Sequence, residues 1–226
     1  MEITEQTLTL QAADGHTFAG FRASPAADPK GGLVILQEIF GLTDQLRSVA
    51  RSFAAEGFDA IVPALFDRTA PDTVIPFETP PKGLELAMGL DPEKVTADVA
   101  AAMAAVDSGK GVSLMGYCWG GGQALRLACQ LPCTSAVAYY GTSLDKHLAG
   151  CPEGPKCPML FHFGDSDNYT PPPLIDAVRA AIPRAEIHLY AAGHAFTNAA
   201  RPVYVKEAAV VANRRTVEFL TRHHGA

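Results

Sequence analysis

Six short runs of mostly apolar residues punctuate the chain, at 33–36, 60–62, 112–115, 136–140, 159–163 and 187–190. Runs this short, without strict alternation, are expected of strands covered on both faces, as in parallel sheets. Upstream, residues 7–10 and 17–21 flank Asp14-Gly15. That dipeptide accepts the positive backbone angles of a tight turn and predicts an antiparallel hairpin.

Between the later runs the apolar period lengthens to that of a helix. Leu46, Val49, Ala50, Phe53 and Ala54 follow Thr43, a side chain suited to capping, and stop at Gly57. Asp91 and Pro92 open a second helix that buries Val95, Val99, Met103 and Val106 on one face. A third follows Gly120 to the neighbourhood of Gln130, a fourth covers 174–181, and a fifth, with Val210, Val217 and Leu220, comes last. The alternation predicts one α/β domain over residues 1–226, an open and mostly parallel sheet with helices on both faces. Such sheets place their sites at the carboxyl ends of strands. The proline-rich stretch 69–81 reads as a surface excursion and a candidate lid.

Composition narrows the function. An apolar fraction of 48% with 19% charged residues excludes a disordered or coiled-coil chain. A net charge of -6, with no Lys/Arg cluster longer than a pair, disfavours nucleic acid or an anionic membrane as partner. Residues 1–11 carry two acids and no apolar core, and no stretch is long enough to span a bilayer, so a cytoplasmic protein is expected. Five cysteines, an odd number without a signal peptide, suit a compartment where thiols stay reduced. Cys129-x3-Cys133 and Cys151-x5-Cys157 lack the usual zinc-pair spacing, and the glycines from Gly120 lack a dinucleotide pattern or a following Lys. Neither metal nor cofactor is expected.

The strongest chemical signal is Gly116-Tyr117-Cys118-Trp119-Gly120, set between the strand at 112–115 and a helix. A nucleophile on such a strand-to-helix turn is held in a strained conformation, flanking glycines remove side chains that would collide, and the helix presents its positive end. Phe163-Gly164-Asp165-Ser166-Asp167 and Gly193-His194 follow later strands, giving the chain order nucleophile, acid, histidine. Asp167 is preferred as the acid from the Gly164 to Pro171 pattern, with Asp165 as the alternative. Of the other histidines, His162 and His188 lie within strands and read as core or face residues. His16, His147, His223 and His224 fall in turns or the tail.

Together, Gln37-Glu38-Ile39-Phe40-Gly41, Gly116-Tyr117-Cys118-Trp119-Gly120-Gly121, Tyr139-Tyr140-Gly141 and Gly193-His194-Ala195-Phe196 resemble the dienelactone hydrolase family, the carboxymethylenebutenolidases. The likeness implies an α/β-hydrolase fold, a Cys118-His194-Asp167 triad and cofactor-free hydrolysis of a carboxylate-bearing lactone in aromatic degradation. It gives Glu38 the role of holding the resting thiol and helping to deprotonate it, and the Ile39 and Trp119 N–H groups an oxyanion. Arg68, Phe40, Tyr140 and Asn198 are its substrate-binding positions. Arg68 matches the first of two family arginines that hold the substrate carboxylate, whereas Asn198 stands where the second is expected, with Arg201 nearby. A small lactone or ester is the expected partner. Broader carboxylesterase or thioesterase activity is the alternative, and a thiol sensor or ligand-binding protein built on Cys118 is a third reading.

Overall fold

β1 (Ile3–Gln11) and β2 (Thr17–Pro25) pair antiparallel along their whole length, so the hairpin is longer than its apolar residues announced. Gly15 takes φ 86° in the connecting turn and donates its N–H to the Ala12 carbonyl at 2.9 Å. The computed structural model describes residues 2–225, and the chain divides into two compact units, Met1–Ser113 and Leu114–Ala226.

In the first unit β3 (Gly32–Leu36) is followed by α1 (Asp44–Ala55) and β4 (Asp59–Pro63). The strand order is β1-β2-β4-β3, with β4 antiparallel to β2 and parallel to β3. Every residue of β3 and β4 is buried, which is why these runs are apolar throughout instead of alternating. Thr43 caps α1 by accepting from the Leu46 N–H, and Gly57 leaves it at φ 97°.

A helix that the sequence pattern did not disclose, α2 (Pro80–Gly89), follows. Its two leading prolines masked it, although proline suits the first helical turn. The candidate lid before it is anchored: the Ile75 N–H donates to the Phe40 carbonyl at 2.9 Å, and Gly41 bridges Val74. α3 (Pro92–Val106) begins on Asp91, which accepts from the Glu93 N–H at 2.9 Å, and it buries Val95, Val99, Met103 and Val106 as predicted.

Most of β5 (Val112–Tyr117) belongs to the second unit, which also holds α4 (Trp119–Gln130), β6 (Ala136–Tyr139) and the short α5 (Leu144–Ala149), a helix the pattern also missed. β7 (Met159–Gly164), α6 (Pro172–Ala181), β8 (Glu186–Tyr190) and α7 (Lys206–His224) complete it. The four strands run parallel in the order β5-β6-β7-β8. Polar groups buried beneath α7 are mutually satisfied. His162 Nδ1 lies 2.8 Å from the Tyr190 hydroxyl and its Nε2 2.9 Å from Thr216 Oγ1, which also meets the Tyr139 hydroxyl at 2.6 Å. Burial pushes the His162 imidazole well below its ordinary range.

The expectation that all five cysteines remain thiols is corrected here, since Cys129 and Cys151 form a disulfide. Sequence spacing carried no signal for it because the partners meet only once α4 and the loop after α5 are packed. Among the described residues no helix is long and apolar enough to cross a membrane.

His147, on α5, lies over the first turn of α4, where its ring would sit 3.2 Å from a β-carbon added to Gly122. Burial, helped by the Arg126 charge and opposed by Asp145, lowers its pKa from 6.5 to about 4. The native state therefore keeps His147 neutral at pH values where the unfolded chain protonates it, so stability falls as pH drops from 6.5 to about 4. Chemical denaturation across that window should show a shallower loss for His147→Gln than for the parent. Equal slopes would mean that His147 titrates alike in both states.

Candidate active site

Only one residue, Cys118, separates β5 from α4. Its backbone takes φ 54° and ψ −116°. Such a conformation costs about 1–3 kcal/mol for a residue with a β-carbon and persists only where the surroundings impose it. Here they do. The Cys118 N–H donates to the Tyr139 carbonyl at 3.0 Å, while the Cys118 carbonyl accepts from Gly122 at 3.2 Å and Thr142 at 3.1 Å.

Glycine at 116 is a packing requirement: a β-carbon there would stand 1.9 Å from the Gly120 carbonyl oxygen. The Cys118 thiol is reduced and half-buried. Trp119 is the first residue of α4, and N–H groups of a first helical turn have no acceptor inside the helix. They supply donors and a partial positive charge beside the thiol.

Positive φ at non-glycine residues recurs at Tyr140 (38°), just past β6, and at Ala195 (61°), directly after His194. The buried Tyr140 side chain bonds through its hydroxyl to Thr197 Oγ1 at 2.9 Å and packs its ring edge-on to the His194 imidazole, with 5.1 Å between centroids. Tyr140 therefore lies between the residues that hold the Cys118 backbone and also touches His194.

Asp167 leaves β7 in a tight turn. Its Oδ1 accepts from the Tyr169 N–H at 2.8 Å, and its Oδ2 lies 2.8 Å from His194 Nδ1. The carboxylate is fully buried and the imidazole half-buried. Two backbone bonds join the loops that carry them: the Asp165 N–H donates to Tyr190 at 2.9 Å and the Ser166 N–H to Ala192 at 3.1 Å. The Asp165 side chain is exposed and accepts from Ser166 Oγ instead. Of the two acids, the structure brings Asp167 to the histidine.

Sequence reasoning missed Tyr169. Its ring lies 4.7 Å from the imidazole, centroid to centroid, and is 62% exposed, so it shields one side of His194. An aspartate followed two residues later by an aromatic residue was the available signal, because a turn on the aspartate side chain brings that residue back alongside it.

In the first unit Glu38 is buried in the loop after β3. Ile39 is closely covered: a β-carbon on Gly83 of α2 would lie 1.9 Å from its carbonyl oxygen. Phe40 is buried edge-on to Phe77 at 4.8 Å. Asn198, in the second unit, shapes the loop behind His194: its N–H donates to Ala195 at 3.0 Å, its Oδ1 accepts from Ala200 at 3.1 Å, and its carbonyl accepts from the Arg201 N–H at 3.0 Å.

Arg68, expected as a substrate clamp, is bonded to two carboxylates of the first unit. Its Nε and Nη2 grip the fully buried Asp98 carboxylate at 2.8 and 2.7 Å, and its Nη1 and Nη2 reach Asp14 at 2.7 and 3.2 Å. Nη2 also donates to the Lys94 carbonyl at 3.2 Å. With both carboxylates in place each guanidinium nitrogen donates at least one hydrogen bond, and Asp98 could not have been recognised from sequence because it sits within an apolar helical pattern.

Residues 18–224 match the dienelactone hydrolase family. The chain belongs to that family. It is 36% identical to a carboxymethylenebutenolidase of Pseudomonas putida over 225 residues, with 94% of each chain covered. A solved Klebsiella pneumoniae structure, provisionally named a dienelactone hydrolase, superposes with a TM-score of 0.85 at 26% identity, covering 96% of this chain and 98% of the other. An esterase from Pyrococcus furiosus shares the fold at 16% identity and a TM-score of 0.70, covering 97% and 93%. The chain is a hydrolase of the dienelactone hydrolase family with the α/β-hydrolase fold, a mostly parallel sheet with helices and an N-terminal antiparallel hairpin.

For this dienelactone hydrolase family member, the Arg68 network predicts a stability phenotype. Removing one partner of a buried ion pair leaves an uncompensated charge, so Arg68→Ala should lower unfolding free energy by about 3–5 kcal/mol, measured by denaturant titration. An unchanged midpoint together with a selective loss of carboxylate-bearing substrates would restore Arg68 to substrate binding.

Proposed function

We propose that this protein is a cysteine-dependent hydrolase of small lactones or esters that works through an acyl-thioester on Cys118. The reading is carried by the buried Asp167 carboxylate 2.8 Å from His194 Nδ1, in the same unit as a cysteine on a strained strand-to-helix turn. Asp167 fixes the imidazole with Nδ1 protonated and Nε2 directed to the reacting groups, and the Tyr169 N–H holds the carboxylate in place.

In the first half-reaction the Cys118 thiol passes its proton to His194 Nε2, the resulting thiolate adds to the substrate carbonyl, and the oxyanion is received by the Trp119 N–H. As the intermediate collapses, the C–O bond breaks and the leaving oxygen takes a proton from His194. Water then gives a proton to His194 and adds to the thioester. Collapse returns the sulfur as the leaving group and releases the acid. The roles of Glu38 with the resting thiol and of the Ile39 N–H beside that of Trp119 rest on the sequence motif.

The relatives' name, carboxymethylenebutenolidase, supports a dienelactone as substrate. Arg68 favours a second reading, a broader carboxylesterase or thioesterase, because its guanidinium is held by Asp14 and Asp98. Specificity constants for a dienelactone and for neutral aryl esters, measured side by side, separate the two.

Cys118→Ala should lower hydrolysis of every substrate by roughly 10³-fold or more while circular dichroism stays unchanged. Turnover near the parental rate would remove Cys118 from the mechanism. His194→Ala should be comparably inactive.

Between the acids, Asp167→Asn should be the damaging change, with a loss of roughly 10³–10⁴-fold from the wrong imidazole tautomer. Asp165→Asn should stay within a few-fold of the parent. The reverse order in kcat would transfer the orienting role to Asp165.

A further inference from the structure

Four cysteines remain outside the Cys118 site, and they draw together the same two segments. Cys129, in the last turn of α4, is bonded to Cys151, while Cys133 Sγ lies 2.8 Å from Cys157 Sγ. Backbone and side chain bonds already set these segments in register: the Lys156 N–H donates to the Ala128 carbonyl at 2.9 Å and Lys156 Nζ to the Gln130 carbonyl at 2.9 Å. A separation of 2.8 Å lies inside the contact distance of unbonded sulfurs and outside that of a covalent bond. Among the described residues no group of three or more metal-ligating side chains converges on a point, so the four sulfurs are arranged as two pairs.

The second pair is asymmetric and accessible from one side. Cys157 is buried, yet it lines an open cavity of about 610 Å³ together with Lys156, Arg184, Phe219 and His223. Cys133 is half-buried. The hydrogen bond from the Cys157 thiol holds Cys133 below its ordinary value, whereas the same hydrogen bond, and then burial, raise Cys157. Of the two, Cys133 is the better nucleophile.

We propose that Cys133 and Cys157 are a redox-active dithiol that a small-molecule disulfide of the glutathione class converts into a second disulfide beside Cys129–Cys151. The Cys133 thiolate attacks one sulfur of the small disulfide, forming a mixed disulfide and releasing one equivalent of thiolate, which takes a proton. The Cys157 thiol then loses its proton and attacks the Cys133 sulfur, expelling the second equivalent as thiol. The protein pair is oxidised by two electrons, and one small disulfide is reduced to two thiols.

With Cys129–Cys151 already closed, the new bond adds only a short loop. The expected gain is a rise in Tm of about 2–6 °C, without a change in the chemistry at Cys118.

The test uses full-length Cys118→Ala protein, so that Cys133 and Cys157 are the only thiols outside the disulfide. After equilibration with oxidised glutathione, acid quench, alkylation and tryptic digestion, three peptides should travel as one mass. These are 127–146, which carries Cys129 and Cys133, 147–156, which carries Cys151, and 157–179, which carries Cys157. Adding Cys157→Ser should abolish the three-peptide species and leave glutathione on Cys133. In the otherwise parental chain, Cys157→Ser should leave hydrolysis unchanged. Alkylation of both Cys133 and Cys157 at saturating oxidised glutathione would overturn the proposal. So would a stable glutathione adduct on Cys133 in protein that retains Cys157.

Discussion

The absence of any loop between β5 and α4 governs the candidate site. A strand that passes into a helix through one residue must reverse its backbone sense there, and Cys118 takes up that reversal at φ 54°. The cost is supported on both sides, by the Tyr139 carbonyl that accepts the Cys118 N–H and by the Thr142 N–H that donates to its carbonyl. The β6 end is thereby fixed as well, and Tyr140 between those two residues is driven to φ 38°, with its ring edge-on to His194. Strain at the cysteine and position at the histidine are consequences of one turn.

His194 depends on a second constraint of the same kind. The loops after β7 and β8 are joined by backbone bonds from Asp165 to Tyr190 and from Ser166 to Ala192, which leaves the Asp167 side chain to turn inward. There it has two donors, the Tyr169 N–H and His194 Nδ1, on separate oxygens. A buried carboxylate satisfied in this way resists rotation, and the imidazole inherits that order. Further back, the buried His162 is held by hydroxyls on both ring nitrogens, from Tyr190 and Thr216, so His194 and His162 are ordered by different chemistry. His194 faces a carboxylate, whereas His162 sits in a neutral network.

Charge is used structurally elsewhere. Arg68 joins the hairpin turn at Asp14 to α3 at Asp98 and to the carbonyl of Lys94, and Asp67 beside it accepts the N–H groups of Ala19 and Asp72. The segment after β4 is therefore clamped at both ends, and the stretch beyond it is anchored again at Phe40. Sulfur does a similar task in the second unit, where Cys129–Cys151 holds the loop before β7 to the end of α4.

How much of this was legible depended on whether a signal was local. Apolar runs, the caps at Thr43 and Asp91, Gly15 in its turn and the Gly116-to-Gly120 motif each act over a few residues, so the sequence determined the strands, most helices and the identity of Cys118 as the residue on the turn. The chain order of Asp167 and His194 was readable for the same reason, since each follows its own strand. The Gly164-to-Pro171 pattern already favoured Asp167 over Asp165, but the bonds between the β7 and β8 loops that turn its side chain to the histidine join partners 25 or more residues apart. The partners of Arg68 were hidden on similar grounds: a lone arginine in a motif carries no information about Asp98, thirty positions away and fully buried on α3. The disulfide, the Cys133–Cys157 contact and the Tyr169 ring over His194 likewise exist only after packing. Local stereochemistry specifies what an element is, while the pairing of a charge, a thiol or a ring is decided by which elements the fold brings within a few ångströms.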